Sequence, residues 1–212
     1  MKVFLIAFLL GFAALAPISA EVVQFHNFRA PIRFQVDAAK SKFFVHASRG
    51  GIAWFKGHSH NIAVRDFDGT AELDITAINP ASLELNVRAA SLEETDPAFT
   101  PEQKGIINKE LNEIVLETAK FPDIVFKSTA VAGKIENGGF EIVITGDLSL
   151  HGVTRQIKIP ARVTLEGDSL RAIGEFEIDR KDFKIAATSA FHGFVRVKHD
   201  LKFTFDIVAA RV

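Results

Sequence analysis

From Ile32 to the C-terminus, apolar residues recur at every second position, in runs too long and too regular for a helical period. In Gln156 to Leu165, residues Ile157, Ile159, Ala161, Val163 and Leu165 share one parity, while Gln156, Lys158, Arg162 and Thr164 take the other. That alternation belongs to an extended strand with one dry face and one wet face. It returns in Phe140 to Leu150, Leu170 to Ile178 and Val195 to Ala209, and in shorter form at Ile32/Phe34/Val36, Phe67 to Ile75, Leu83 to Ala89 and Ile124/Phe126. Asn137-Gly138-Gly139, His151-Gly152 and Glu166-Gly167-Asp168 are short enough to close hairpins between antiparallel neighbours. With no βαβ spacing and no long internal repeat, the pattern predicts an all-β fold, either a sandwich or a closed barrel. Near residue 65 the parity slips, since Ile62 and Val64 are even while Phe67, Leu73 and Ile75 are odd, which predicts a β-bulge at Arg65 or Asp66.

One helix interrupts the strands. Thr100-Pro101-Glu102-Gln103 offers an N-cap threonine, a proline at the first helical position and a capping-box glutamine. Ile107, Leu111, Ile114 and Val115 then share a stripe, so a helix is predicted from Pro101 to Glu117 with that stripe buried against a barrel end or flank. No stretch rich in Gly, Ser or Pro divides the 212 residues into two domains.

Met1-Lys2 is followed by apolar residues from Val3 to Ala16, then Pro17-Ile18-Ser19-Ala20 and an acidic Glu21, the pattern of a secretory leader cut after Ala20. Residues 1–20 are therefore expected to be a signal peptide and residues 21–212 the mature domain. The apolar run, about 14 residues, falls short of the roughly 20 needed to span a bilayer, so the product is not expected to be membrane-spanning. The mature chain would contain neither Cys nor Met, and such an exported domain folds without disulfides. A formal charge of −1 with no run of like charges excludes a general nucleic-acid footprint. Phe occurs 20 times, Trp once and Tyr never, so nearly all the aromatic surface lacks a hydrogen-bonding handle and suits a core or an apolar ligand.

The chain has no GxSxG elbow, phosphate-cradling glycine loop, HExxH or cysteine ligand, so an enzyme is not expected and no cofactor is implied. The one constellation is Gly57-His58-Ser59-His60-Asn61-Ile62, whose two histidines point to the same side of an extended chain. Three readings stay open. The imidazoles serve local hydrogen bonds, meet a ligand head group, or chelate a metal with His46, His151 or His199 as a third ligand in a metal-binding or redox-accessory module. A rival from the enzyme class is a barrel hydrolase or isomerase whose acid/base group is an inward histidine. His58 and His60 share the parity of Ile62 and Val64 and are expected to face inward; His199, in phase with Val197, Leu201, Phe203 and Phe205, is expected to be an inward polar group satisfied by a neighbour.

Five blocks in order resemble the YceI family: Phe34-Gln35-Val36-Asp37 with Ser41-Lys42-Phe43, the Gly-His-Ser-His turn, Phe121 to Thr129, Gly146 to Arg155, and Phe176 to Phe183. The Gly-His-Ser-His turn and a helix of this length before Phe121-Pro122 depart from the commonest family pattern. The resemblance implies a single antiparallel lipocalin-like β-barrel of about eight strands with one principal α-helix. It also implies export to the periplasm and an apolar cavity that takes a polyisoprenoid or similar long-chain lipid, with no catalytic residues to carry over. On that basis the dry-parity residues Phe34, Phe67, Leu73, Leu85, Phe126, Ile142, Phe176, Phe203 and Phe205 are expected to line the cavity. His58, His60, Arg49 and Arg180 are the candidates for its mouth, where a head group would lie. The oligomeric state, a homodimer included, stays open.

Overall fold

The alternating runs form strands β1 (Ile32–Val36), β2 (Lys42–Gly50), β3 (His60–Val64), β4 (Phe67–Leu73), β5 (Ala81–Arg88), β6 (Leu92–Glu94), β7 (Asp123–Glu136), β8 (Gly139–Leu150), β9 (Val153–Glu166), β10 (Ser169–Asp179), β11 (Ser189–Ala190) and β12 (Val195–Arg211), with α1 (Pro101–Glu110) between β6 and β7. This computed structural model describes residues 31–50, 59–74, 78, 80–186, 189–190 and 195–212. The expected leader, residues 1–20, and His58 lie outside the described residues.

Strands β1, β4, β5, β7, β8, β9, β10 and β12 pair in that order, and β1 also pairs with β12, so the sheet closes into an eight-stranded antiparallel barrel. Strands β2, β3 and β6 extend the same wall rather than forming a second layer. Along β12, residues 209–211 pair with β1 and residues 196–206 with β2, so β1 and β2 are two halves of one broken strand. The break is a short 3-10 turn at Ala38–Lys40, capped by the Asp37 carboxylate, which accepts from the amides of Ala39 and Lys40. Likewise β3 and β4 are separated by Arg65-Asp66, and β5 and β6 by a 3-10 turn at Ala89–Ser91. Because all three breaks fall at one level across adjacent strands, the expected single-residue bulge at Arg65 or Asp66 is instead a two-residue interruption.

The second half is a meander closed by tight turns. Asn137 and Gly138 (φ 50° and 73°) join β7 to β8, and His151 and Gly152 (φ 51° and 72°) join β8 to β9, both with the paired positive φ of the hairpin turn whose twist matches that of the strands. On the wet face, cross-strand ion pairs such as Arg33–Glu72, Glu84–Lys127, Arg88–Asp123 and Glu141–Arg162 join directly opposed residues and favour this register. A bidentate Arg171–Asp206 pair, both bonds 2.7 Å, holds the Asp206 carboxyl below the usual carboxylate range, chiefly through the guanidinium hydrogen bonds.

The helix begins as predicted, with Thr100 and Gln103 forming a complete capping box. It does not continue as an α-helix to Glu117. After Glu110 the chain widens into a π turn at Leu111–Val115, where the Leu116 amide donates to Leu111 O, and it stops at Glu117, whose φ is 45°. The extra residue in the turn rotates the stripe, so Leu111, Val115 and Leu116 face the barrel while Ile114, expected on the buried side, is 59% exposed.

Helix and π turn lie over one end of the barrel. The β6 edge is tied to the helix by the Glu94 amide, which donates to Asn108 Oδ1 at 2.8 Å. The end of the π turn is tied to the β8–β9 turn by His151, whose ring bridges the Glu117 carboxylate (2.9 Å) and Phe183 O (3.3 Å). A separate apolar cluster of Phe34, Leu73, Phe140, Val163, Leu170 and Ala209 fills the opposite end. Among the described residues, no helix is long and apolar enough to cross a membrane.

Candidate functional site

Between the two ends lies an internal cavity of about 310 Å³, at the lower limit of the roughly 300–1,000 Å³ usual for small-molecule sites. Its walls are the dry faces of the strands, and the underside of the helix and π turn supplies Ile107, Leu111, Val115 and Leu116. Several inward side chains, among them Leu85, Ile142, Phe176, Phe203 and Phe205, are only half-buried although the opposite parity faces water. Their remaining accessible surface fronts the cavity, so these positions line a space rather than fill it.

The aromatic rings form one continuous wall. Phe176 and Phe203, opposed in the β10–β12 register, stack at 4.7 Å between ring centres, and Phe43 and Phe205 flank them at 6.2 Å and 6.4 Å. Two glycines on the dry face make room for rings. A Cβ at Gly174 would meet Phe205 at 2.5 Å, and one at Gly146 would meet Phe126 at 2.5 Å.

Of the nine residues expected to line the cavity, Leu73, Leu85, Phe126, Ile142, Phe176, Phe203 and Phe205 do so. Phe34 and Phe67 do not. Phe34 is 2% exposed within the cluster that seals the far end, and Phe67, at the β3–β4 break, is 4% exposed and meets Phe43 edge to face. Both have the right parity, but neighbouring side chains already occupy the space in front of them.

The polar candidates separate. His60 lines the cavity at the helix end, with its Nδ1 2.7 Å from Glu94 Oε2 and its ring stacked on Phe99 at 5.4 Å. Glu94 is 1% exposed and also accepts the amides of Asp96 (2.8 Å) and Asn61 (3.2 Å) on Oε1. Arg180 lines the same end but is itself buried, donating to Ile185 O (2.7 Å), Lys198 O (3.2 Å) and His199 Nδ1 (3.2 Å), so it also ties the end of β10 to β12. Arg49 is exposed on β2 opposite Val197 and is not part of the cavity wall.

His199 departs from its expected inward position. Between Val197 and Leu201 β12 advances four residues while β2 advances only two, from Arg49 to Ala47, so two extra residues bulge from the ladder and His199 is exposed although Val197 and Leu201, of the same parity, line the cavity. The histidines named as third ligands are dispersed: His46 Nε2 bonds Thr204 on the outer face, His151 holds the helix end, and His199 meets Arg180. The residues that sequence reasoning missed are Glu94 and Phe99. Glu94 sits in a three-residue strand, too short to show alternation, beside a second glutamate that is exposed.

The profile of the YceI-like domain matches residues 34–209. A UPF0312 protein of Shewanella denitrificans is 31% identical over 195 residues, covering 87% of this chain and 88% of that protein. Protein YceI of Escherichia coli O6:H1 is 35% identical over 141 residues, 64% of this chain and 65% of its own length. Among solved structures, Burkholderia cenocepacia BcnA superposes with a TM-score of 0.66 at 21% identity, covering 82% of this chain and 99% of that one. A polyisoprenoid binding domain from Saccharophagus degradans superposes with a TM-score of 0.59 at 12% identity, covering 85% and 99%. The barrel, its helix and the span of the matching profile agree: the chain belongs to the YceI family.

Proposed function

We propose that this protein binds and carries a long apolar lipid in the barrel interior, and that residues 1–20 export it to the periplasm. The observation that carries the reading is the set of inward phenylalanine and aliphatic side chains whose surface fronts an internal cavity rather than one another. The polyisoprenoid binding domain of Saccharophagus degradans, which has the same fold, supports an isoprenoid-like chain as the occupant. Each methylene transferred from water into such a space gains about 0.8 kcal/mol, so roughly twenty buried carbons gain on the order of 16 kcal/mol before the cost of association, which leaves room for micromolar affinity without covalent or metal chemistry.

The test is an organic extract of the purified mature chain, analysed by mass spectrometry beside the Leu85→Trp variant. Leu85 projects into the cavity from β5, and the larger indole occupies ligand volume at an overpacking cost of about 1–3 kcal/mol. A long-chain molecule in the native extract, depleted several-fold in a folded Leu85→Trp protein, is the expected result. An extract with no such molecule overturns the carrier reading.

A further inference from the structure

We propose that His60 is a head-group site, and that the lipid it selects is a long-chain alcohol whose hydroxyl donates to His60 Nε2. This rests on the lipid-carrier reading and specifies the end of the molecule that lies beneath the helix.

The argument begins behind the histidine. Glu94 Oε1 is engaged by the amides of Asp96 and Asn61, and Oε2 faces His60 Nδ1 at 2.7 Å. A carboxylate holding two amide donors offers only lone pairs to its third neighbour, so the hydrogen on the ring sits at Nδ1. In that tautomer the lone pair is on Nε2, the nitrogen left out of the Glu94 contact. The Phe99 ring, stacked within 10° of parallel at 5.4 Å, holds the imidazole in that orientation. Among the described residues no donor reaches Nε2, although His60 lines the cavity.

The apolar wall at this end includes Ile62, Val64, Leu92 and Leu116, which supply no donor, and the guanidinium of Arg180, which also lines it, donates to Ile185 O, Lys198 O and His199 Nδ1. A hydrogen-bond acceptor in an apolar wall is costly when unmatched, and the group that satisfies it brings its own hydrogen. A hydroxyl does so without adding charge. A carboxylate or phosphate head would set its lone pairs against that of Nε2 and its charge against the buried Glu94 carboxylate just behind. At the opposite end Phe140, Val163, Leu170 and Ala209 of the second apolar cluster line the cavity, a wall that suits a hydrocarbon terminus.

The experiment compares three probes of one chain length on the delipidated full chain, by displacement of a fluorescent apolar hydrocarbon: geranylgeraniol, its methyl ether and the corresponding carboxylic acid. The alcohol is expected to bind about tenfold more tightly than the ether, with the acid weakest, as for one buried hydrogen bond made or lost. In His60→Ala the alcohol and ether should converge to within about twofold, and His60→Gln, whose side chain keeps an acceptor, should restore part of the difference. Equal binding of alcohol and ether to the wild type overturns the inference while leaving the lipid reading standing, and a preference that survives in His60→Ala assigns it elsewhere and also overturns it. If none of the three displaces the hydrocarbon and the hydrocarbon itself does not bind, the carrier reading fails as well. Should His60→Ala not fold, the wild-type comparison with His60→Gln decides.

Discussion

Glu94 shows what one side chain does when it is taken fully out of water. It is 1% exposed, yet each of its oxygens is engaged, by two amides on one and by an imidazole on the other. Burial of such a group is tolerated only with that degree of satisfaction, and removing it strands three donors at once. Glu94→Ala is therefore expected to cost about 3 kcal/mol in urea unfolding, and Glu94→Gln, whose carbonyl can still accept both amides, distinctly less. An alanine variant within ~0.5 kcal/mol of wild type would mean that water reaches these donors. No pattern in the sequence marks Glu94, because its partners come from β3 and from the loop after β6, and their convergence depends on the strand pairing itself. The sequence points to Arg180 as a mouth residue and it lines the cavity, but its role in joining β10 to β12 depends on the carbonyls of Ile185 and Lys198, which only the fold brings near.

At the scale of elements, the features written locally were legible and those set by neighbours were not. The two-residue turns at Asn137-Gly138 and His151-Gly152, the capping box at Thr100 and the alternation of β8, β9 and β10 are all encoded within a dozen residues. The aligned breaks in the first strands, the register shift that exposes His199 and the π turn after Glu110 answer to packing across the barrel. The glycine in β10 belongs to the second group. Gly174 reads as a weak point in an apolar run, but it is the floor on which the Phe205 ring rests, and an added Cβ would collide with that ring and with Pro160 O. Gly174→Ala should lower stability by about 1–3 kcal/mol and change the near-ultraviolet aromatic signal. An unchanged melting midpoint would show that the Phe205 ring and the β9 backbone at Pro160 both give way at no cost.

For the whole molecule, parity told which face of each strand is dry but not whether dry faces meet or enclose a space. Phe34 and Phe205 obey the same alternation, one sealed in a packed cluster and the other fronting the cavity, and the difference is volume, which a one-dimensional pattern does not carry. The aligned breaks have their largest consequence at this scale. Below them the wall is a closed ring of ladder bonds, whereas above them, among the described residues, β6 pairs with β3 alone, and the helix covers its other side through side chains, the bond from the Glu94 amide to Asn108 and that from Lys104 to Thr95 O. The barrel is thus a cooperative unit over one part and a seam over the other. Amide exchange should separate the two: protons of β8, β9 and β10 should exchange only through global unfolding, with protection close to the full unfolding free energy. Those of α1 and β6 should exchange through a smaller opening that responds weakly to urea, because little surface is exposed when a seam parts along a line that has almost no ladder to break.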